Sequence, residues 1–264
     1  MLGMVTPARW DGAALVRLAP DGSRRAALAQ LPTGLPSVEL LFDFMRDAEL
    51  RFDSLRLRLL ERAWVASGET ARTHELLLRH PGRARITVGT PAGVASAGPE
   101  IWLSDGETVR TYRAAHRLGT TRPVRARPAG LDVDRDLPGS ARAYLPLTAL
   151  QANSLVDTFV HPAGFCQNVL ATGACRVLRE EPAAGRTAVV LECLHPRTID
   201  LAGDRPDHRL QIAVDRETGI IAGLAEFFGD RPSRLVAATE LAPDAAIPNA
   251  AFTVHAPDDA STIF

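Results

Sequence analysis

Between Leu35 and Val65 a helical period runs straight into a strand period, and this junction constrains the fold more than any other feature of the chain. Val38, Leu41, Phe42, Met45 and Ala48 recur at the spacing of one helical face, with Ser37 placed as N-cap and Glu39 in the first turn. Past Phe52 the period drops to two. Leu55, Leu57 and Leu59 alternate with Arg56 and Arg58, as on a strand with one buried face. An apolar helix feeding a long strand predicts a helix laid across a sheet that begins with that strand.

The strands that follow are joined by tight turns. His74–His80 and Arg83–Val88 flank Pro81-Gly82, and a regular two-residue turn there pairs Leu77 with Ile86 and Leu78 with Arg85. Ile101–Tyr112 is the clearest hairpin, with Asp105-Gly106 as its turn and Trp102 opposite Val109. Ile101, Leu103 and Tyr112 share the other face, so this part of the sheet is expected to be covered on both sides.

Residues 89–99 read as a small-residue loop and 113–143 as a long polar loop of the kind that serves as a lid. Leu147, Leu150, Ala152 and Leu155 have helical spacing, predicting a helix over Leu145–Val160. Strands return at Gly173–Glu180, Thr187–Cys193, Leu210–Val214, Ile220–Phe228 and Arg234–Leu241, with a short last one at Phe252–Val254. Consecutive strands on tight turns predict an antiparallel meander. Residues 1–34 are rich in turn formers, with a short element between Ala13 and Leu31, and read as an extension. Residues 35–264 read as a single domain.

Charge narrows the function. Thirty basic residues, all Arg, nearly cancel thirty-one acidic ones, which argues against an electrostatic nucleic-acid binder. The absence of Lys alongside abundant Ala, Gly and Pro points to a GC-rich bacterial genome. No apolar run is long enough to span a membrane. The first residues lack a basic start followed by an apolar stretch, so a cytoplasmic protein is expected.

No Gly-rich phosphate loop, Walker loop or nucleophile elbow is visible, so no cofactor and no catalytic residue is assigned. His74-Glu75 lacks the second His of a zincin. The one dense set of reactive side chains is His161, Cys166, Cys175, Cys193, His195 and His208. Its spacing matches no short-loop zinc motif, so plain buried or surface thiols are expected ahead of a disulfide, and a disulfide ahead of a metal site, with Cys175 and Cys193 as diagonal neighbours on one hairpin face.

The order of elements resembles a known family. A helix leads into ELRFDSLRLRL, HPGRARI makes a hairpin, and IWLSDGETVRTY, VDRETGIIAGLAEFFG and AAFTVHAP follow. This resembles the LolA-like lipoprotein-carrier superfamily, which includes RseB-like periplasmic sensors and mycobacterial lipid-binding lipoproteins, over roughly residues 36–257. The resemblance implies an α+β fold: a strongly curved antiparallel β-sheet, an incomplete barrel, closed by helices. It also implies an apolar cavity that takes an acyl chain or other hydrophobic small molecule. Leu57, Trp64, Leu77, Trp102, Tyr112, Phe159, Phe165 and Phe227 are the residues expected to line it. Two alternatives stand beside binding: an enzyme using the cavity for cyclisation or isomerisation of an apolar metabolite, and a regulatory or scaffold protein.

Overall fold

The computed structural model describes residues 30–92, 98–124, 146–197, 205–253 and 261–263. The element expected between Ala13 and Leu31, most of the 113–143 loop and Val254 lie outside them.

Helix α1 spans Val38–Arg46 and starts where Ser37 Oγ accepts a hydrogen bond from the Leu40 N–H. A short 3-10 turn, Ala48–Arg51, carries the chain into β1, Ser54–Val65. β2 is Gly68–Arg79, β3 Arg83–Gly89, β4 Glu100–Asp105, β5 Thr108–Arg113 and β6 Leu118–Pro123. Helices α2, Leu155–Val160, and α3, Ala163–Asn168, come next. They are followed by β7 Ala174–Ala183, β8 Arg186–Leu194, β9 His208–Asp215, β10 Ile221–Phe228, β11 Arg231–Pro243 and β12 Ser261–Ile263.

All twelve strands form one sheet, in the order β12-β6-β5-β4-β3-β2-β1-β11-β10-β9-β8-β7. Two antiparallel meanders, β1–β6 and β7–β11, meet at the β1–β11 seam. Among the described strands only β12 runs parallel to its neighbour, β6. The sheet is not closed, because β7 and β12 stand at opposite ends of the order.

One continuous cluster of buried side chains covers the inner face from Trp102 and Val109 on β4 and β5 to Leu191 and Cys193 on β8. Laid flat, those strands would spread over about 38 Å, whereas α1, the longest of the three helices, measures about 13 Å. The sheet has to bend to wrap such a cluster. The α+β class read from the sequence, a curved antiparallel sheet left open and closed over by helices, is thus the observed fold.

Several local expectations change. Pairing of β2 with β3 is slipped by one residue: Leu76 faces Ile86, Leu77 faces Arg85 and Leu78 faces Ala84. The turn has three residues because His80 leaves the ladder. Its N–H donates to the Asp53 carbonyl, and its ring stacks on Phe52. The slip sends Leu76 and Leu78 inward and Leu77 to the outer face.

In the β4–β5 hairpin the turn residues are Gly106-Glu107, so Trp102 pairs with Thr111 and Val109 with Ser104. Asp105 causes this shift of two. Its carboxylate accepts from the Glu107 and Thr108 N–H groups and from Thr108 Oγ1. Because the shift is even, Trp102 and Val109 still share the inner face. Gly106 packs on the β2–β3 turn so closely that a Cβ at Gly82 would lie 3.0 Å from its Cα.

The helix expected over Leu145–Val160 starts only at Leu155. Before it the chain is tied elsewhere: Leu147 N–H donates to Glu49, and Thr148 Oγ1 bonds Gly82 N–H and His80. Asn153 has a positive φ and Ser154 caps α2. β6 forms inside the stretch read as loop, and Phe252 ends a 3-10 turn, Asn249–Phe252, in place of a strand. That turn covers the outer face at β3 and β4. With Ile247 and Phe252 above it, Leu103 is fully buried, so the expected two-sided cover at this point is present.

Candidate functional site

Among the described residues, one cluster of the chain's own side chains covers the inner face. Leu55, Leu57 and Leu59 of β1 meet Leu76, Leu78 and Ile86 from β2 and β3. From above, α1 lowers Leu41 and Met45, α2 Val156, Phe159 and Val160, and α3 Cys166, all within the same cluster. Each fully buried Leu, Ile or Phe contributes roughly 1.5–3 kcal/mol before ordering costs. Polar groups close the cluster at the far end of β1, where Glu61 accepts from His74 Nε2 at 2.8 Å and from Arg234. The His74 contact, more than the Arg234 charge, holds the Glu61 carboxyl down at about 2 against the opposing effect of burial.

The eight residues expected to line a cavity divide between the two faces. Leu57, Trp102 and Phe159 belong to the inner cluster, and Phe165 packs against it. Trp64, Leu77, Tyr112 and Phe227 stand on the outer face, as the strand registers place them. Phe227 lies under the guanidinium of Arg209, 4.1 Å from its ring centre, and Trp64 is 37% exposed. The structure therefore does not gather the eight into one site.

An open groove of about 520 Å³ lies instead on the outer face of the second meander and β1. Its floor follows from register. Val190, Ala213, Gly223, Ala237 and Leu60 occupy successive paired positions across β8, β9, β10, β11 and β1. Three adjacent small residues make a trough, and the larger ends stop it. The next row on the same face carries Gln211, Leu235 and Arg62, which form one wall. Glu181 and Pro182, near the β7–β8 turn, close the β7 end. Val190 and Ala213 are 2% and 9% exposed although they lie outside the inner cluster. Alternation along one strand marks its faces, but no single strand shows that small residues on three strands line up. This is why sequence reading missed the groove.

The groove differs chemically at its two ends. Glu181 is gripped by Arg179, whose Nη2 donates at 2.7 Å. Arg62 faces Glu69 at 3.7 Å, beyond hydrogen-bond length. Gln211 in the wall donates to Glu192.

Two further polar sets sit under the helices. His161, the C-cap of α2, directs Nδ1 to Asp157 at 2.8 Å and Nε2 to Glu49 at 3.2 Å, the latter off the line of a good hydrogen bond. Burial alone would lower its pKa, but the two carboxylates outweigh burial and raise it to about 9. Cys175 and Cys193 face each other directly across β7 and β8, not diagonally. A shift between Val177 and Arg179 in that ladder accounts for the difference. Both thiols point at the Leu170 carbonyl, at 3.1 and 3.4 Å, and all three cysteines are free. Burial pushes the Cys166 thiol up to about 12, which keeps it protonated and a poor nucleophile at neutral pH. Among the described residues no group of three or more His, Cys, Asp and Glu has a metal-holding arrangement, and no helix is long and apolar enough to cross a membrane.

No family model and no curated protein matches the sequence. Among solved structures the chain is similar to the Pseudomonas aeruginosa MucA/MucB complex, with a TM-score of 0.48 and 18% identity over 82% of this chain and 60% of that one. It is similar to an uncharacterized conserved protein of Thermus thermophilus, with a TM-score of 0.45 and 8% identity over 85% and 97% of the two chains. It is also similar to a LolA superfamily protein of Nitrosomonas europaea, with a TM-score of 0.33 and 11% identity over 83% and 99%. The chain spans about three fifths of the length of the first of these matched chains.

Proposed function

We propose that this chain binds a hydrophobic small molecule or acyl chain and carries it without transforming it, as a lipoprotein carrier would. The outer groove carries the reading. Its volume, about 520 Å³, falls within the roughly 300–1,000 Å³ of small-molecule sites. Its surface is apolar apart from Arg62, Glu181 and Gln211. Filling it with hydrocarbon would release water from Leu60, Gly223, Leu235 and Ala237, at about 25 cal/mol per Å² of apolar area before ordering costs. The proposed binding face is thus the one turned away from the helices.

Mass spectrometry of protein purified without detergent, together with thermal shift on adding medium-chain fatty acids or alcohols, tests this reading. Co-purifying apolar molecules, or a rise in Tm that saturates with ligand, are expected. A chain that leaves purification empty and whose Tm ignores every added amphiphile is not a carrier.

A further inference from the structure

Resting on that reading, we infer that the groove's occupant is a single extended acyl chain with an anionic head, the chain lying across β8–β11 and the head held at Arg62 beside Trp64. Shape comes first. The small floor residues Ala213, Gly223 and Ala237 span two inter-strand steps, about 10 Å at the usual strand spacing, between the larger Val190 and Leu60. Neighbouring rows on one face of a strand are two residues, about 7 Å, apart. A trough only one row wide fits a hydrocarbon chain better than a fused-ring or branched molecule.

Charge then orients the occupant. At the β7 end the cation, Arg179, is already committed to Glu181 through two hydrogen bonds. The β1 end presents Arg62. Elsewhere on the outer face of β1, Arg58 is claimed by Glu75 at 3.0 Å and by Glu240 at 3.3 Å. Arg62 has a looser arrangement: its side chain is 56% exposed and its Nε is 3.7 Å from Glu69. A carboxylate or phosphate can displace Glu69 and take the guanidinium in two-point contact. Trp64 follows Arg62 by two residues on the same face and is 37% exposed. There it can cover the first carbons below the head.

The test uses the full chain and three twelve-carbon probes: dodecanoate, dodecyl phosphate and dodecanol. Binding is read from Trp64 fluorescence, with Trp64→Phe subtracting the other tryptophans, and from thermal shift. Both anionic probes are expected to bind at least tenfold tighter than dodecanol. Arg62→Gln should erase that advantage, weakening the two anions at least tenfold more than dodecanol. Ala237→Leu, at an exposed floor position where folding is not at risk, should block all three probes. Preference for dodecyl phosphate over dodecanoate would assign a phosphate head, and the reverse a carboxylate; either supports the inference. If dodecanol binds as well as the anions, or Arg62→Gln changes nothing while Ala237→Leu still blocks, the head-group assignment is wrong and the groove stands. If Ala237→Leu binds every probe as the parent does, the groove is not the site and both readings fall.

Discussion

Buried between two carboxylates, His161 ties α2 to the 3-10 turn that leads into β1, and its charge can be read out as stability. Its pKa in the folded chain is raised to about 9 from an ordinary 6.5. A group raised on folding stabilises the fold fully below its unfolded pKa and loses that contribution as pH climbs through the folded value. At about 1.4 kcal/mol per pKa unit, the interval from 6.5 to about 9 corresponds to roughly 3 kcal/mol. The predicted perturbation is a rise in pH from about 6 to about 9.5. Urea unfolding followed by tryptophan fluorescence, on the parent and His161→Gln, measures it. The variant should be less stable at the low end, where Glu49 and Asp157 lose their cation. The gap between the two proteins should shrink by about 3 kcal/mol towards the high end. Because both proteins share every other titrating group, the difference isolates His161. A gap that stays constant over this range would mean that the imidazole is not charged between these carboxylates, and the electrostatic account of the α2 anchor would be wrong.

Other expectations follow from the same geometry. Leu57→Ala should cost about 2–5 kcal/mol in urea unfolding, as a deletion in the packed inner cluster, whereas Leu77→Ala on the outer face should cost about 1 kcal/mol or less. Equal losses would contradict the one-residue register. Gly219→Ala should destabilise by about 2 kcal/mol or more, since φ is +81° and a Cβ would sit 2.9 Å from the Phe44 carbonyl oxygen. A change within about 0.5 kcal/mol would show that α1 does not pack there as described. Treatment with a low-molecular-weight disulfide should join Cys175 to Cys193, the reagent taking up both electrons and both thiol protons, with an intramolecular loss of two hydrogens by mass spectrometry. Cys193→Ser should abolish it, and persistence of the bond in that variant would place the partner at Cys166.

The antiparallel character of the fold was legible in the chain because turn chemistry and alternation act locally. Ser37 caps where a serine should, Leu55, Leu57 and Leu59 point inward, and Gly219 takes its positive φ in the β9–β10 turn. Registers were harder, since they depend on contacts from elsewhere. Asp53 draws His80 out of the β2–β3 ladder from 27 residues away, and Thr148 holds the same turn from 68 and 66. The Leu145–Val160 segment had helical spacing throughout, yet Asn153 takes a positive φ and Ser154 caps the helix, which starts only at Leu155.

Local sequence, through alternation and tight turns, was enough to specify a bent antiparallel wall with helices over its apolar side, because each strand shows by itself which residues point inward. Whether that side would be hollow or full was settled by how α1, α2 and α3 come down on it together, which no segment encodes alone. The groove arose the same way. Ala213, Gly223 and Ala237 are ordinary in their own strands and form a trough only once three ladders set them side by side.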